Sequence, residues 1–405
     1  MPDISTINAI AEDNIAEWNG DAAADVTSVN GNTWIHALKN YFGDATDGDV
    51  TISSNTSLAV TEDAGPAIVN YSTLTVNAST TLTTDNRCRG LVIYVTGNCT
   101  INGTISMTAR GAKGDSGGEP LVNIFRNDDG AGIESGTPNT AYFGAAEEME
   151  GDTSDNVQEF RAETSGGAGG GARDANTSAS NQALAGSAGS AGGAGATGGG
   201  GSGGAAHSAD AGSETAEALS GAGANGTTLS GGPGGGGTAS VGTGAAEAGS
   251  QGTGTLHGGY GGRGSARDND GDGTAAASGG AGNPGGSVFN QQGTNSGSVG
   301  SNGTGGLMWL IVGGNLTLGS GSVISADGSN GGNATAPSGT KRVAAGGGGS
   351  GGGRVVVIYA GTLTNNGTIR ASGGSGGSAT ASGGQAAAGG AGGAGTTEIV
   401  QVNTE

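Results

Sequence analysis

Residues 186–204 read GSAGSAGGAGATGGGGSGG, with glycine at 186, 189, 192, 195, 198, 201 and 204. Polyproline II has three residues per turn, so glycine at every third position leaves one bare stripe against which a second backbone can lie. The period recurs at Gly231, Gly234 and Gly237, at Gly258, Gly261 and Gly264, at Gly279, Gly282 and Gly285, and at Gly389, Gly392 and Gly395. This spacing predicts rods packed side by side in a polyglycine II bundle, with backbone groups bonded between rods in place of a side-chain core. A disordered Gly/Ser linker is the competing reading. Collagen is disfavoured, because the 405 residues contain only 7 prolines and the Gly-x-x runs are short and interrupted.

Around these runs a second pattern occurs three times: GLVIYVTGNCTINGTISMTARG (90–111), GLMWLIVGGNLTLGSGSVISADG (306–328) and GRVVVIYAGTLTNNGTIRASG (353–373). Each copy is an apolar strand, a glycine corner, a short Thr-containing strand, a polar turn and another short strand. An apolar run buried on both faces, followed by two short strands at fixed offsets, fits rungs of a β-solenoid or a β-sandwich. The second copy starts about 200 residues after the first, so the glycine region between them is an insertion that must leave the rungs and return. From Asp49 the Thr-rich segments VTISSNTSLAV and STLTVNASTTLTT alternate as half-buried strands do. The expected fold class is all-β with almost no α-helix: rungs of a β-solenoid or sandwich carrying an inserted polyglycine II bundle. Its expected divisions are 1–48, a β-rich platform at 49–110, and a glycine-rich bundle at 111–405 threaded by the rungs at 306–328 and 353–373.

The first 34 residues hold an 11-residue repeat. Ile4, Ile15 and Val26 align, as do Ile7, Trp18 and Val29; Asn8, Asn19 and Asn30 follow, then Ala9, Gly20 and Gly31. Each unit is a short apolar stretch closed by an Asn-Gly-type turn, too short to bury its own apolar residues, and is expected to dock on something else.

Composition narrows the partners. Thirty-five acidic against 14 basic side chains give a formal charge of −21, which repels phosphate backbones and anionic lipid surfaces. Nucleic acid and membrane partners are therefore not expected, and the longest apolar runs, at 307–312 and 355–360, fall far short of the ~20 residues of a spanning helix. The start, MPDISTINAIAEDN, lacks a basic and then apolar leader, so synthesis in the cytoplasm without a classical export signal is expected. Cys88 and Cys99 are too few for a disulfide scaffold, and a bond between them is left open.

Short Gly-x-x rods separated by variable polar loops, over roughly 111–395, resemble the tip adhesins of T-even phage long tail fibres, in which a polyglycine II sandwich displays receptor-reading loops. The amino-terminal repeats, through Gly31, are similar to the start of many tailed-phage virion proteins, marine ones included. The resemblance implies a non-enzymatic virion protein made in the host cytoplasm. It would dock on other tail or fibre proteins through Ile4, Ile7, Ile15, Trp18, Val26 and Val29, and would bind a bacterial surface protein or polysaccharide. If it is an oligomer, the resemblance implies a trimer. The β rungs and the β-rich segment before the bundle depart from the T-even pattern.

Recognition is expected in polar segments joining rods, at 173–181, 205–218, 263–272 and 333–342, and in the insert at 121–160, because loops on a rigid scaffold vary without disturbing it. Aromatic, histidine and basic side chains in or beside these segments are the anchor candidates: Phe125, Tyr142, Phe143, Arg173, His207, His257, Tyr260, Arg263, Arg267 and Lys341. No cofactor is expected. Asp268, Asp270 and Asp272 in DNDGDG match the first half of a calcium loop, but the twelfth position is Gly279 and brings no bidentate carboxylate. GDSGG at 114–118 matches a serine-protease motif, yet only His36 precedes it, and Gly114 and Gly117 belong to the glycine period. A glycosidase would want a carboxylate pair among stacking aromatics; Glu147, Glu148, Glu150 and Asp152 form a charged run in a chain with 3% aromatics. Two other functions remain open: a structural or decoration protein of the virion, and an ice-binding protein.

Overall fold

The structure, a computed structural model, describes residues 42–62, 65–111, 182–191, 201–208, 220–226, 231–241, 303–336, 343–381 and 385–402, together with short strands at 17–18, 21–22, 28–29, 32–33, 177–178, 215–216, 264–268, 274–276 and 288–290. It is all-β: strands are numerous and no helix occurs among the described residues. In the amino-terminal repeat Glu17–Trp18 pairs antiparallel with Asp21–Ala22, and Ser28–Val29 with Asn32–Thr33, on either side of the Asn-Gly pairs of the sequence.

Three parallel ladders organise the rest. In the first, the leading half of Ala67–Val76 pairs with Leu91–Val95, which pairs with Leu307–Val312, then Arg354–Tyr359, then Thr396–Gln401. The second runs from Gly48–Ile52 to the trailing half of Ala67–Val76, Cys99–Ile101, Leu316–Leu318 and Leu363–Asn365. The third joins Thr56–Leu58, Thr81–Thr84, Thr104–Ser106, Val323–Ser325 and Thr368–Arg370. The three sequence copies are therefore successive tiers of one stack, in register despite the long insertion.

Alternation within each strand sends every second side chain into a single core. Val69, Ile93, Leu310, Val357 and Ile399 form one column of it, and Leu74, Cys99, Leu316 and Leu363 another. Ile93, Leu310 and Val357 are fully buried. Strands of the first ladder are buried on their other face too, where Trp309 and Val356 lie, which accounts for unbroken runs such as LMWLIV. On that face Arg354 is fully buried, with Nη2 donating to Glu398 Oε2 at 2.8 Å and its guanidinium 5.9 Å from the Trp309 ring centre. Cys88 and Cys99 are buried free thiols, which settles the disulfide left open above. Burial pushes the Cys99 thiol up to about 12, so it stays protonated and acts as a small apolar filler.

Corners carry their own ladder. Asn98 Oδ1 accepts from the backbone N–H of Asn315 at 2.9 Å, and Asn315 Oδ1 accepts from that of Thr362 at 2.8 Å. The glycine before each, at 97, 314 and 361, lets the corners stack directly: a Cβ at Gly361 would sit 2.7 Å from the carbonyl carbon of Gly314.

From the third ladder the chain leaves on glycine-rich legs and returns to the first ladder one tier on. Leg 328–333 runs out and 346–353 back; 372–378 runs out and 388–395 back. Legs bond to legs through the backbone, with a three-residue rotation in partner. In GGGGSGGG (346–353), the N–H groups of 346, 349 and 352 donate to Ala387, Gly390 and Gly393. Those of 347, 350 and 353 donate to Gly332, Ser329 and Ala326, and those of 348 and 351 to Gly235 and Gly232. Its carbonyls accept from Gly201 and Gly204, from Gly374 and Gly377, and from Gly305. The leg is thus surrounded on all sides and fully buried, and a Cβ at Gly346, Gly348, Gly349, Gly352 or Gly353 would strike a neighbouring backbone carbonyl.

Outer legs keep one free stripe. In AGGAGGAG (388–395), Ala388, Ala391 and Ala394 are exposed, whereas a Cβ at the adjoining glycines would strike neighbouring carbonyls. Asn330 and Asn333 occupy the free stripe of 328–333, and their Oδ1 atoms accept from the N–H groups of Ser375 at 2.9 Å and Ser378 at 2.8 Å. The number of glycines per triplet follows the number of stripes that are covered.

Candidate functional site

At the ends away from the strand stack the glycine legs give way to short strands. Ala205–Ser208, Thr238–Val241, Gly264–Asp268 and Val288–Asn290 pair in parallel, with Gln182–Leu184 antiparallel at one edge. Residues beside the legs are small: Ala183, Ala206, Ala239 and Ala266 align in one row, and Ala205 and Ala239 are fully buried. One residue further out, the row reads Gln182, His207, Ser240 and Arg267. The next reads Ser208, Val241 and Asp268. Composition therefore shifts from glycine to alanine to larger polar side chains toward the outer end of this sheet.

The backbone places His207 and Arg267, two of the expected anchors, in one row with Ser240 between them, about 10 Å apart at two strand spacings. Histidine, arginine and glutamine are residue types able to donate hydrogen bonds to hydroxyl or carboxylate oxygens of a ligand.

Three further small sheets complete the outer end. Thr274–Ala276, Val343–Ala345 and Gln385–Ala387 form a sheet whose outermost row is Thr274, Val343 and Gln385. Ala334–Ala336 pairs with Ala379–Ala381, where Thr380 Oγ1 lies 3.2 Å from Thr335 Oγ1, and Thr177–Ser178 pairs with Thr215–Ala216.

The segments expected to be loops therefore include strands, and this corrects the sequence reading at 177–178, 205–208, 215–216, 264–268 and 334–336. Neighbouring legs end side by side, so the residues that follow can continue backbone pairing instead of turning into solvent. Phe125, Tyr142, Phe143, Arg173, His257, Tyr260, Arg263 and Lys341 lie outside the described residues, as do Ile4, Ile7, Ile15 and Val26. Trp18 and Val29 each end the first strand of a hairpin. Asp268 ends its strand, whereas Asp270 and Asp272 lie outside the described residues; no cluster of metal-ligating side chains occurs among the described residues. None of the described helices is long and apolar enough to span a membrane, since there are none.

Gln182 and Ser240 were not singled out by the sequence reading, yet a signal for Ser240 exists. His207, Ser240 and Arg267 each stand three residues after a glycine that closes a leg, namely Gly204, Gly237 and Gly264. Alignment on those glycines brings the three into one row. No protein-family model matches the chain, and no curated protein or solved structure is detectably similar to it.

Proposed function

We propose that this is a non-enzymatic virion protein of a tailed phage, an adhesin whose outer sheet and its connecting loops read a bacterial surface receptor. The fold we infer is a β-solenoid, made of the three ladders, with glycine legs in a polyglycine II-like bundle projecting from it. The observation that carries the function is the row Gln182, His207, Ser240 and Arg267 at the outer end of glycine-rich legs. Large polar side chains concentrated where a rigid scaffold ends are what a recognition surface needs. The amino-terminal hairpins would attach the protein to the rest of the tail or fibre.

The test is binding of the labelled protein to a panel of bacterial strains, with His207→Ala/Arg267→Ala as the variant. Binding to a subset of strains, lost in the variant at an unchanged melting temperature, supports the adhesin. No binding to any host of the phage that carries it would favour a structural or decoration role.

One observation favours a second reading. Exposed stripes at Asn330 and Asn333, at Ser372, Ser375 and Ser378, and at Ala388, Ala391 and Ala394 lie on adjoining legs and repeat every three residues, ~9 Å along each leg. Such a regular face of small side chains suits an ice surface, and thermal hysteresis in the purified protein would support that function over adhesion.

A further inference from the structure

The two ends of the strand stack differ from its middle and match each other. Every partly buried apolar side chain packed on the main core stands at or beside an end. Val50, Leu58, Val60 and Val69 are at the first; Tyr359, Leu363 and Ile369 are at the last. Ile399, which closes the column Val69, Ile93, Leu310 and Val357, is 42% exposed and is the one exposed large hydrophobic residue among those described.

The ends are also stepped in opposite senses. At the first, the second and third ladders begin with Gly48–Ile52 and Thr56–Leu58, a tier before the first ladder begins with the leading half of Ala67–Val76. At the last, the first ladder has an extra strand, Thr396–Gln401, whereas the other two stop a tier earlier at Leu363–Asn365 and Thr368–Arg370. Over Ala67–Val69 the first end lacks the strand that the last has in excess; beyond it, Asp47 and Gly48 already lie against Asn70 and Tyr71.

We propose that the stack joins head to tail with a second copy of this chain, the last tier of one copy and the first of the next together making one complete tier. Continuing each column across the joint seats Ile399 on Val69, Leu363 on Val50 and Ala371 on Leu58 of the next copy. All strands stay parallel, and unpaired edge groups of Thr397–Ile399 gain backbone partners on Ala67–Val69, with Val400 and Gln401 meeting Asp47 and Gly48 where these lie against Asn70 and Tyr71. A tail-to-tail joint would meet two extra strands in the same place and leave the other two ladders apart, so the step selects one direction. The assembly does not depend on what the outer sheet binds.

Sedimentation velocity of the full chain over a wide concentration range tests this. Dimers and longer species that grow with concentration are expected, and Ile399→Lys should raise the dissociation constant about tenfold or more by placing a charge on an apolar column. Because Ile399 is exposed in the single copy, this variant should melt like the parent. A second variant fixes the geometry: Val69→Cys/Ile399→Cys should form intermolecular disulfide ladders, because paired strands lie ~4.8 Å apart whereas the two positions are four tiers, ~19 Å, apart within one chain. A concentration-independent monomer, a closed trimer indifferent to Ile399→Lys, or dimers cross-linked by Ile399→Cys alone would each overturn the proposal.

Discussion

Strand stack and glycine legs are both dense and both built from backbones lying side by side, yet they exclude water by opposite means. In the stack, ladders stand apart and the space between them is filled by Leu, Ile, Val and Met, with burial of each worth ~1.5–3 kcal/mol. In the legs no such space exists. Backbones approach until carbonyl oxygens occupy the volume a Cβ would need, and stability comes from hydrogen bonds worth ~0.5–1.5 kcal/mol each together with close contact between backbones. One region is intolerant of lost volume, and the other of added volume.

Removing volume from the stack should have the largest effect. Leu310→Ala leaves a cavity in the middle of a five-residue column and is expected to cost ~2–5 kcal/mol in chemical denaturation. The mirror experiment adds one carbon to a leg. A Cβ at Gly349 would lie 2.6 Å from the carbonyl carbon of Gly374 and 2.7 Å from the carbonyl oxygen of Ser375, so Gly349→Ala is expected to cost ~1–3 kcal/mol or more. Wild-type stability in Gly349→Ala would mean that the legs are not packed by contact, and the contrast would fail.

Smaller changes sharpen it. Asn330→Ala removes the acceptor for the Ser375 N–H on an exposed stripe and should cost ~0.5–1.5 kcal/mol. Within a single triplet, Ala391→Ser, on the free stripe, should stay within ~0.5 kcal/mol, whereas Gly390→Ser should approach the Gly349→Ala value, since a Cβ there would strike the carbonyl of Ser187. Equal melting temperatures for the last two variants would remove the link between glycine spacing and covered stripes.

Much of this was legible because both regions write their packing into the sequence as a period. The copies at 90, 306 and 353 pair in register as tiers, and the repeated Gly-Asn before a Thr-containing strand marks the stacked corners of two of them. The strands at the outer ends were not legible: segments such as AAHS and GSARD are too short to show a period, and what makes them strands is a neighbouring leg ending at the same height. Nor could the sequence say that Arg354, on an apolar strand, finds Glu398 beside it, because that pairing spans an excursion of the chain through the legs.

Leu91, Met308, Val355 and Thr397 hold successive places in one column although the lengths of chain between them differ greatly. The pitch of the stack is therefore blind to how far the chain travels between tiers. For descent with modification this separates two kinds of change. An excursion can be lengthened when residues are gained three at a time on both its outgoing and returning legs, and its outer end can be replaced whole by recombination between glycine-coding tracts. Neither event disturbs the tiers, so the outer ends are free to diversify at a rate the stack itself could not survive.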